Sequence, residues 1–463
     1  MTNMQKTIRK NISISGIGIH TGVTTTMTLT PAKANTGIRF IRTDLSQKPI
    51  IRADVDNVFS TERSTGLKSG EAEINTVEHI LAAIVGAEID NLIIEVDNIE
   101  IPILDGSSKK FTKLIEQAGI IQLDIERDFF EIKRKITFKD QENGTILTAA
   151  PCDEYSIKVK INYESEILGI QEAVIDSINE FSSEITSSRT FCFLHELDLL
   201  LANNLIKGGD VNNAIVIVEK EISQQKLNEL ATTFNKSDIE VGEGGILNNL
   251  RLRYPNEPAR HKLLDVIGDL SLVGKPIKGK ITAYKPGHKS NTEFAKQLKK
   301  TMEEDFSKIA PEINLNEEPL YDRAKIKTIL PHREPFLFID EIRELGEDYI
   351  VGTKFVSADE DYFKGHFPKE PVMPGVLQLE TMAQAGGVLI LSTVKNPEDY
   401  LTFFMKIDNA KFKKKVTPGD TVIFKLKLIS PIRRGLCHMH GKGFVNGNIV
   451  VEGDLLAKIM PKK

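Results

Sequence analysis

Ile12-Ser13-Ile14, and then Thr24–Thr30, alternate apolar and polar side chains along the backbone, the period of two of half-buried strands. The period lengthens to that of a helix near Asn75–Val85, shortens in the apolar strand Leu92–Val96, and lengthens again from Ser107. The next third repeats this outline. Strand-like stretches at Phe130–Phe138 and Tyr155–Ile161 precede a helical stretch from Phe193 to Asn203 and a further apolar strand. DNLIIEVD (90–97) and NNAIVIVE (212–219) are both Asn-led apolar strands closed by an acid, which hints at two related α+β halves. Chance likeness of short strands explains the pair equally well. Residues 300–325 are charged, aperiodic and broken by Pro311 and Pro319, as in a linker after a terminal helix. Beyond it, a long apolar helix (GVLQLETMAQAGGVLILSTV) is followed by β-rich segments at Thr421–Ile429, Gly441–Val445 and Asn448–Ile459. The pattern is α+β throughout, with the last helix wrapped by an antiparallel sheet. The expected divisions are 1–126, 127–305, a linker at 306–320, and 321–463.

Composition narrows the function classes. Of 463 residues, 40% are hydrophobic and 27% charged, as in ordinary globular proteins, and the net charge of −5 gives no general attraction to nucleic acid or anionic lipid. Cys152, Cys192 and Cys437 are far apart, odd in number and without a CxxC, which fits a reducing cytoplasm better than a disulfide framework. The basic N-terminus lacks the apolar core of a signal peptide, and no run approaches the roughly 20 apolar residues of a membrane span.

The first chemical pattern is HKLLD (261–265). On a helix, His261, Asp265, Asp269 and Lys262 share one polar arc, with Leu263, Leu264, Val266, Ile267 and Leu270 on the rest. Such a stripe suits a solvated face, or two metal ligands at i and i+4 needing a third from elsewhere. Among nine histidines the best third ligand is His79, with Glu78 beside it as a base for water. Glu78 also fits a capping box begun by Asn75. His195-Glu196 is not HExxH, because residue 199 is Leu, and GIGIHTG misses GxGxxG at Thr21.

GIGIHTG (16–22), NTVEHILAA (75–83), IPILDGS (101–107), SRTF (188–191), RHKLLDVIGDL (260–270) and GHKSN (287–291) follow one another in the order of a known family. On these motifs residues 1 to about 305 resemble the UDP-3-O-acyl-N-acetylglucosamine deacetylases, zinc amidases of lipid A synthesis. Leu104 stands where that family more often has Met. The resemblance implies Zn²⁺ on His79, His261 and Asp265, with Glu78 as general base and His288 as general acid. It sets Lys262, Thr190, Phe191 and Asp269 around an acylated UDP-sugar. Asp269 is then placed to hydrogen-bond His288 and raise its pKa.

The second pattern is FKGHFPKEPVMPGVLQLETMAQ (363–384). Glu380 has Val376, Leu377, Leu379, Met382 and Ala383 as sequence neighbours, and a carboxyl walled by them should stay protonated. An exposed position on an amphipathic helix, and for His366 a turn histidine bonded to backbone, are the plain alternatives. LPHREPFLFID (330–340), GHFPKEPVMPG (365–375), LETMAQ (379–384) and TPGD (417–420) resemble the 3-hydroxyacyl-[acyl-carrier-protein] dehydratases, a hot-dog fold. That resemblance implies His366 as base at C2, Glu380 as acid at the 3-hydroxyl and the Gly375 N–H toward the thioester. It also implies sites shared across a homodimer, in a hexamer built as a trimer of dimers. Lys411, Lys413, Lys414, Lys415, Arg433 and Arg434 offer positive charge to an acidic carrier protein, or simply solubility. Two readings of other classes compete: a non-catalytic carrier-binding scaffold, and a metal hydrolase of peptides or nucleotides. The first does not require every catalytic residue type, and the second leaves the C-terminal unit unexplained.

Overall fold

The computed structural model describes residues 3–196, 213–233, 238–242, 244–247, 251–308 and 310–462. It divides into two compact units, Met1–Met302 and Glu303–Lys463.

The first unit contains two sheets of the same design. In one, β1 (Ile12–Ile17), β2 (Thr24–Pro31), β3 (Ile38–Arg42), β4 (Ile50–Arg52) and β5 (Leu92–Val96) lie in the order β1-β2-β5-β3-β4. Only the β5–β3 pair is parallel. In the other, β6 (Ile136–Asp140), β7 (Thr145–Ala150), β8 (Tyr155–Asn162), β9 (Ile170–Ile175) and β10 (Ile277–Tyr284) lie in the order β6-β7-β10-β8-β9. Again only the central pair, β10–β8, is parallel. A two-residue strand, Phe130–Glu131, adds alongside β10, so the strand expected over Phe130–Phe138 is split in two.

The counterpart of DNLIIEVD is therefore β10 and not NNAIVIVE. Ile215–Ile217 instead joins a separate four-stranded sheet with Phe191–Phe193, Val241–Gly242 and Ile246–Leu247. Short apolar strands carry too little information to be matched by eye, and this sheet is inserted between β9 and the strand that completes the repeat. The helix expected from Phe193 to Asn203 lies largely outside the described residues; Phe193 itself closes a strand.

Each central strand is bracketed by helices. α1 (Glu78–Gly86) precedes β5 and α2 (Lys109–Ala118) follows it; α3 (Glu257–Leu270) precedes β10 and α4 (His288–Lys308) follows it. α3 starts with Pro258 in its first turn, where a missing N–H costs nothing. The supposed wet stripe of α3 is dry: His261, Asp265 and Asp269 are as buried as the leucines between them. α1 packs across α3. At Gly268 a Cβ would sit 2.1 Å from the carbonyl oxygen of Glu78, so only glycine lets the two helices approach this closely.

In the second unit, β11 (Glu341–Leu345), β12 (Tyr349–Phe355), β13 (Tyr400–Phe412), β14 (Thr421–Leu428), β15 (Leu436–Val445) and β16 (Asn448–Pro461) form an antiparallel sheet ordered β11-β12-β14-β15-β16-β13. α5 (Gly375–Leu391) packs on it, burying Leu379, Met382, Ala385 and Leu389 against Phe424, Leu426, Met439 and Leu455. α4 continues to Lys308, so the expected linker at 306–320 begins in a helical turn. Its later part is tethered: the Arg343 guanidinium donates to the Glu317 carbonyl at 2.6 Å. No helix among the described residues is long and apolar enough to cross a membrane.

Candidate active sites

In the first unit the α1–α3 crossing gathers the first pattern. His79, from the first turn of α1, and His261 and Asp265, one turn apart on α3, bring one ligand atom each within 4.8 Å of the others. Asp265 Oδ1 lies 3.3 Å from His261 Nε2 and 3.8 Å from His79 Nε2, and is buried without a hydrogen-bond partner among the described residues. The donors fit a metal ion. Tetrahedral zinc with bonds of about 2.0–2.1 Å holds its ligand atoms about 3.3 Å apart. Burial lowers the pKa of His79 to about 3 and also lowers that of His261, keeping both rings in the neutral form that ligates. His261 Nδ1 faces the Ser188 carbonyl at 3.2 Å; a carbonyl only accepts, so Nδ1 carries the hydrogen and Nε2 keeps its lone pair. Lys262 takes the other Asp265 oxygen at 2.8 Å. Burial opposes ionisation of Asp265, yet His261 and Lys262 hold its pKa well below the usual range.

Glu78 is the first residue of α1, after a cap residue, Val77, that makes no side-chain bond. The capping box is absent: Glu78 Oε2 accepts instead from the Thr65 N–H at 3.0 Å. Burial foremost raises the Glu78 pKa to about 7, with Asp269 and Asp265 adding and His288 opposing. His288 opens α4, and its Nδ1 lies 3.0 Å from Asp269 Oδ2. Burial works against its charge, but the Asp269 carboxylate, with Asp265 and Glu78, carries its pKa up to about 9. A carboxyl raised toward neutrality and an imidazole held charged thus flank the cluster. Phe191 stands edge-on to His261, ring centroids 6.4 Å apart, with Lys262 Nζ 5.7 Å from its own centroid. Thr190 is fixed through its backbone, donating to Gly106 and accepting from Ile215.

Three supports escaped the sequence reading. Thr65 bonds both Glu78 and Asp269. Glu100, fully buried, accepts from Thr76 Oγ1 and from the backbone of His20 and Thr21, tying the GIGIHTG loop to the start of α1. Arg189, inside SRTF, is clamped to the buried Glu257 at the head of α3 at 2.8 Å. That pair fixes the segment, just before the strand Phe191–Phe193, whose Ser188 carbonyl orients His261. Arg189→Ala should cost about 3–5 kcal/mol in chemical denaturation of this unit, since it leaves Glu257 charged and dry. A loss below about 1 kcal/mol would show that water replaces the guanidinium.

The second unit separates its two candidates. Glu380, on α5, lines a cavity of about 250 Å³ with Leu330, His332, Gln384, Phe403 and Met439. Of the sequence neighbours expected to wall it, only Ala383 lines this cavity, because a helix turns the others away: Leu379 and Met382 enter the core and Val376 is 69% exposed, and the apolar wall comes from residues such as Ile390, Phe403 and Met439. The Glu380 carboxylate instead accepts from Gln384 Nε2 at 3.0 Å and has His332 Nε2 at 3.6 Å. The Phe338 and Ile339 N–H groups donate to Gln384 Oε1, which fixes the amide with its NH₂ end toward the acid. His366 is not among the residues lining that cavity. Its Nδ1 lies 2.8 Å from the Val372 carbonyl and therefore bears the hydrogen, leaving the Nε2 lone pair free to take a proton. Gly375 is the first residue of α5, and a Cβ there would strike the Phe412 ring at 2.7 Å.

Three residues that could hold a metal ion, beside Glu78 and His288, in one unit, and a cavity with Glu380 in its wall in the other, are two candidate active centres. Comparison with known proteins agrees. The UDP-3-O-acyl N-acetylglycosamine deacetylase family model matches residues 5–232 and 232–300, and the FabA-like domain model matches residues 330–454. A bifunctional enzyme LpxC/FabZ from Bacteroides thetaiotaomicron is 45% identical over 460 residues, and one from Chlorobaculum tepidum 42% over 465, each match covering 99% of both chains. A UDP-3-O-acyl-N-acetylglucosamine deacetylase from Chlamydia abortus is 39% identical over 296 residues, 64% of this chain and 96% of that one. The chain belongs to the bifunctional LpxC/FabZ family.

Proposed function

We propose that the first unit removes the acetyl group of UDP-3-O-(3-hydroxyacyl)-N-acetylglucosamine in lipid A biosynthesis, and that the second dehydrates (3R)-hydroxyacyl-acyl-carrier-protein to the trans-2-enoyl thioester. The observation that carries this is the convergence of His79, His261 and Asp265 beside Glu78 and the His288–Asp269 pair, within a chain related end to end to two-activity enzymes. In this reading the first unit is two related halves, 1–126 and 127–305, and 321–463 is a hot-dog domain after a linker. The chain works in the cytoplasm.

His79, His261 and Asp265 would hold zinc, which when bound acidifies water and polarises a carbonyl. Glu78 accepts a proton as water attacks the acetamide carbon. Lys262 and the Thr190 hydroxyl stabilise the charge gathering on the carbonyl oxygen. An amide nitrogen leaves poorly as an anion, so His288 protonates it as the C–N bond breaks. Acetate and the free amine result. Phe191 lies toward the path of the acyl chain.

In the second unit His366 Nε2 takes a proton from C2 while Glu380 gives one to the 3-hydroxyl, which leaves as water. The Gly375 N–H receives the thioester oxygen as enolate character develops. Because His366 lies apart from the cavity of Glu380, we assign them to one site formed by two subunits, a homodimer at least and a hexamer as a trimer of dimers.

The test is one preparation and two assays. The zinc-loaded chain should release acetate from the UDP-sugar and convert the hydroxyacyl carrier protein. A chelator should abolish the first activity and spare the second. Loss of both, or of neither, would defeat the division of labour.

A further inference from the structure

We infer that Thr65 is a positioning residue of the deacetylation site, holding its base and its acid in register through a single amino acid; this rests on the roles proposed above for Glu78 and His288. Thr65 is fully buried, just before the short strand Gly66–Ser69. Its N–H donates to Glu78 Oε2 at 3.0 Å, its carbonyl accepts from the Val77 N–H at 3.2 Å, and its hydroxyl donates to Asp269 Oδ1 at 2.5 Å. Asp269 Oδ2 is used by His288 Nδ1 at 3.0 Å and Asn291 Nδ2 at 2.9 Å. The two carboxylates come from α1 and α3, so without Thr65 their relative position would depend on helix packing alone.

The bond types give the link its chemical sense. A carboxylate oxygen that accepts an N–H is the less basic of the pair, so the proton taken from water goes to Glu78 Oε1. Asp269 Oδ1 accepts, and the Thr65 hydroxyl is the donor there. Its hydrogen is then committed to Asp269, and its oxygen, 3.4 Å from His288 Nδ1, faces the ring that delivers the other proton. Removing the hydroxyl leaves Asp269 Oδ1 buried and without that donor, free to turn away from the geometry that aims the imidazole.

Ser and Val replacements separate this role from packing, because they predict opposite orders. Valine keeps the shape of threonine and loses the oxygen; serine keeps the oxygen and loses the methyl. In the zinc-loaded full chain, Thr65→Val should lower deacetylation kcat by about 10- to 100-fold, the worth of a hydrogen bond to a charged group. KM should stay within about twofold and metal content should be native. Thr65→Ser should keep kcat within about threefold. If Val folds poorly, Thr65→Ala against Thr65→Ser gives the same contrast, since they differ by the oxygen alone. Equal kcat in Ser and the oxygen-less variant, or Val better than Ser, would overturn the inference. Glu78→Gln run alongside separates failures: if Gln is inactive and Val is native, only the Thr65 role falls, and if Gln is active the base assignment falls with it.

Discussion

Glu78→Gln lowers deacetylation by about 10²- to 10⁴-fold with native metal content, the expected contribution of a positioned general base. Glutamine keeps the shape and can still accept from the Thr65 N–H, so the fold of α1 has no reason to change. What it cannot do is take a proton. The pH profile carries the same statement. In the proposed mechanism Glu78 acts ionised, and burial places its pKa at about 7, so the rate should rise with pH through that limb, which a bound dication would draw lower. His288 would act protonated, and Asp269 overcomes burial to hold its pKa at about 9, so the rate should fall as pH rises past it. The acid limb should vanish in Glu78→Gln while dehydration by the same molecules stays native. A Gln variant with near-native turnover would leave Glu78 a structural residue.

His366→Ala and Glu380→Ala should each be inactive in dehydration, and mixing the two should bring activity back. If subunits exchange at random, half of the dimers are hybrids, and each hybrid has one site with both residues intact. Roughly a quarter of the native rate should return. The motive is geometric: the residues lining the cavity at Glu380 do not include His366, whose base-competent Nε2 needs a carboxylic acid opposite. Hybrids verified by mass that remain inactive would mean that both groups serve a site within one subunit.

Much of this arrangement could be read from residue spacing, and the losses have physical reasons. His261 and Asp265 were visible as a pair because a helix repeats every 3.6 residues, but the polar arc looked wet, and only the α1–α3 crossing makes it dry. Gln384 stood four residues from Glu380 and was legible by the same rule, whereas His332, 48 residues upstream, was not. Thr65 is 204 residues from Asp269 and had no local signature. The repeat of the first unit was hinted at through the wrong strand, because sheet order is a property of pairing partners and not of any single strand.

The candidate ligands also come from stretches that lie far apart along the chain. α1 brings His79 early in synthesis, while His261 and Asp265 arrive only with the second sheet's helix. A nascent first half thus offers only His79 of the three, too weak a grip for a dication. The cluster exists only after both halves have docked, and the binding energy of an ion held there would favour the docked state over any earlier one. An ion held there would be a latch that closes last and not a seed around which the chain folds, and a metal-starved cell should accumulate folded but easily opened molecules.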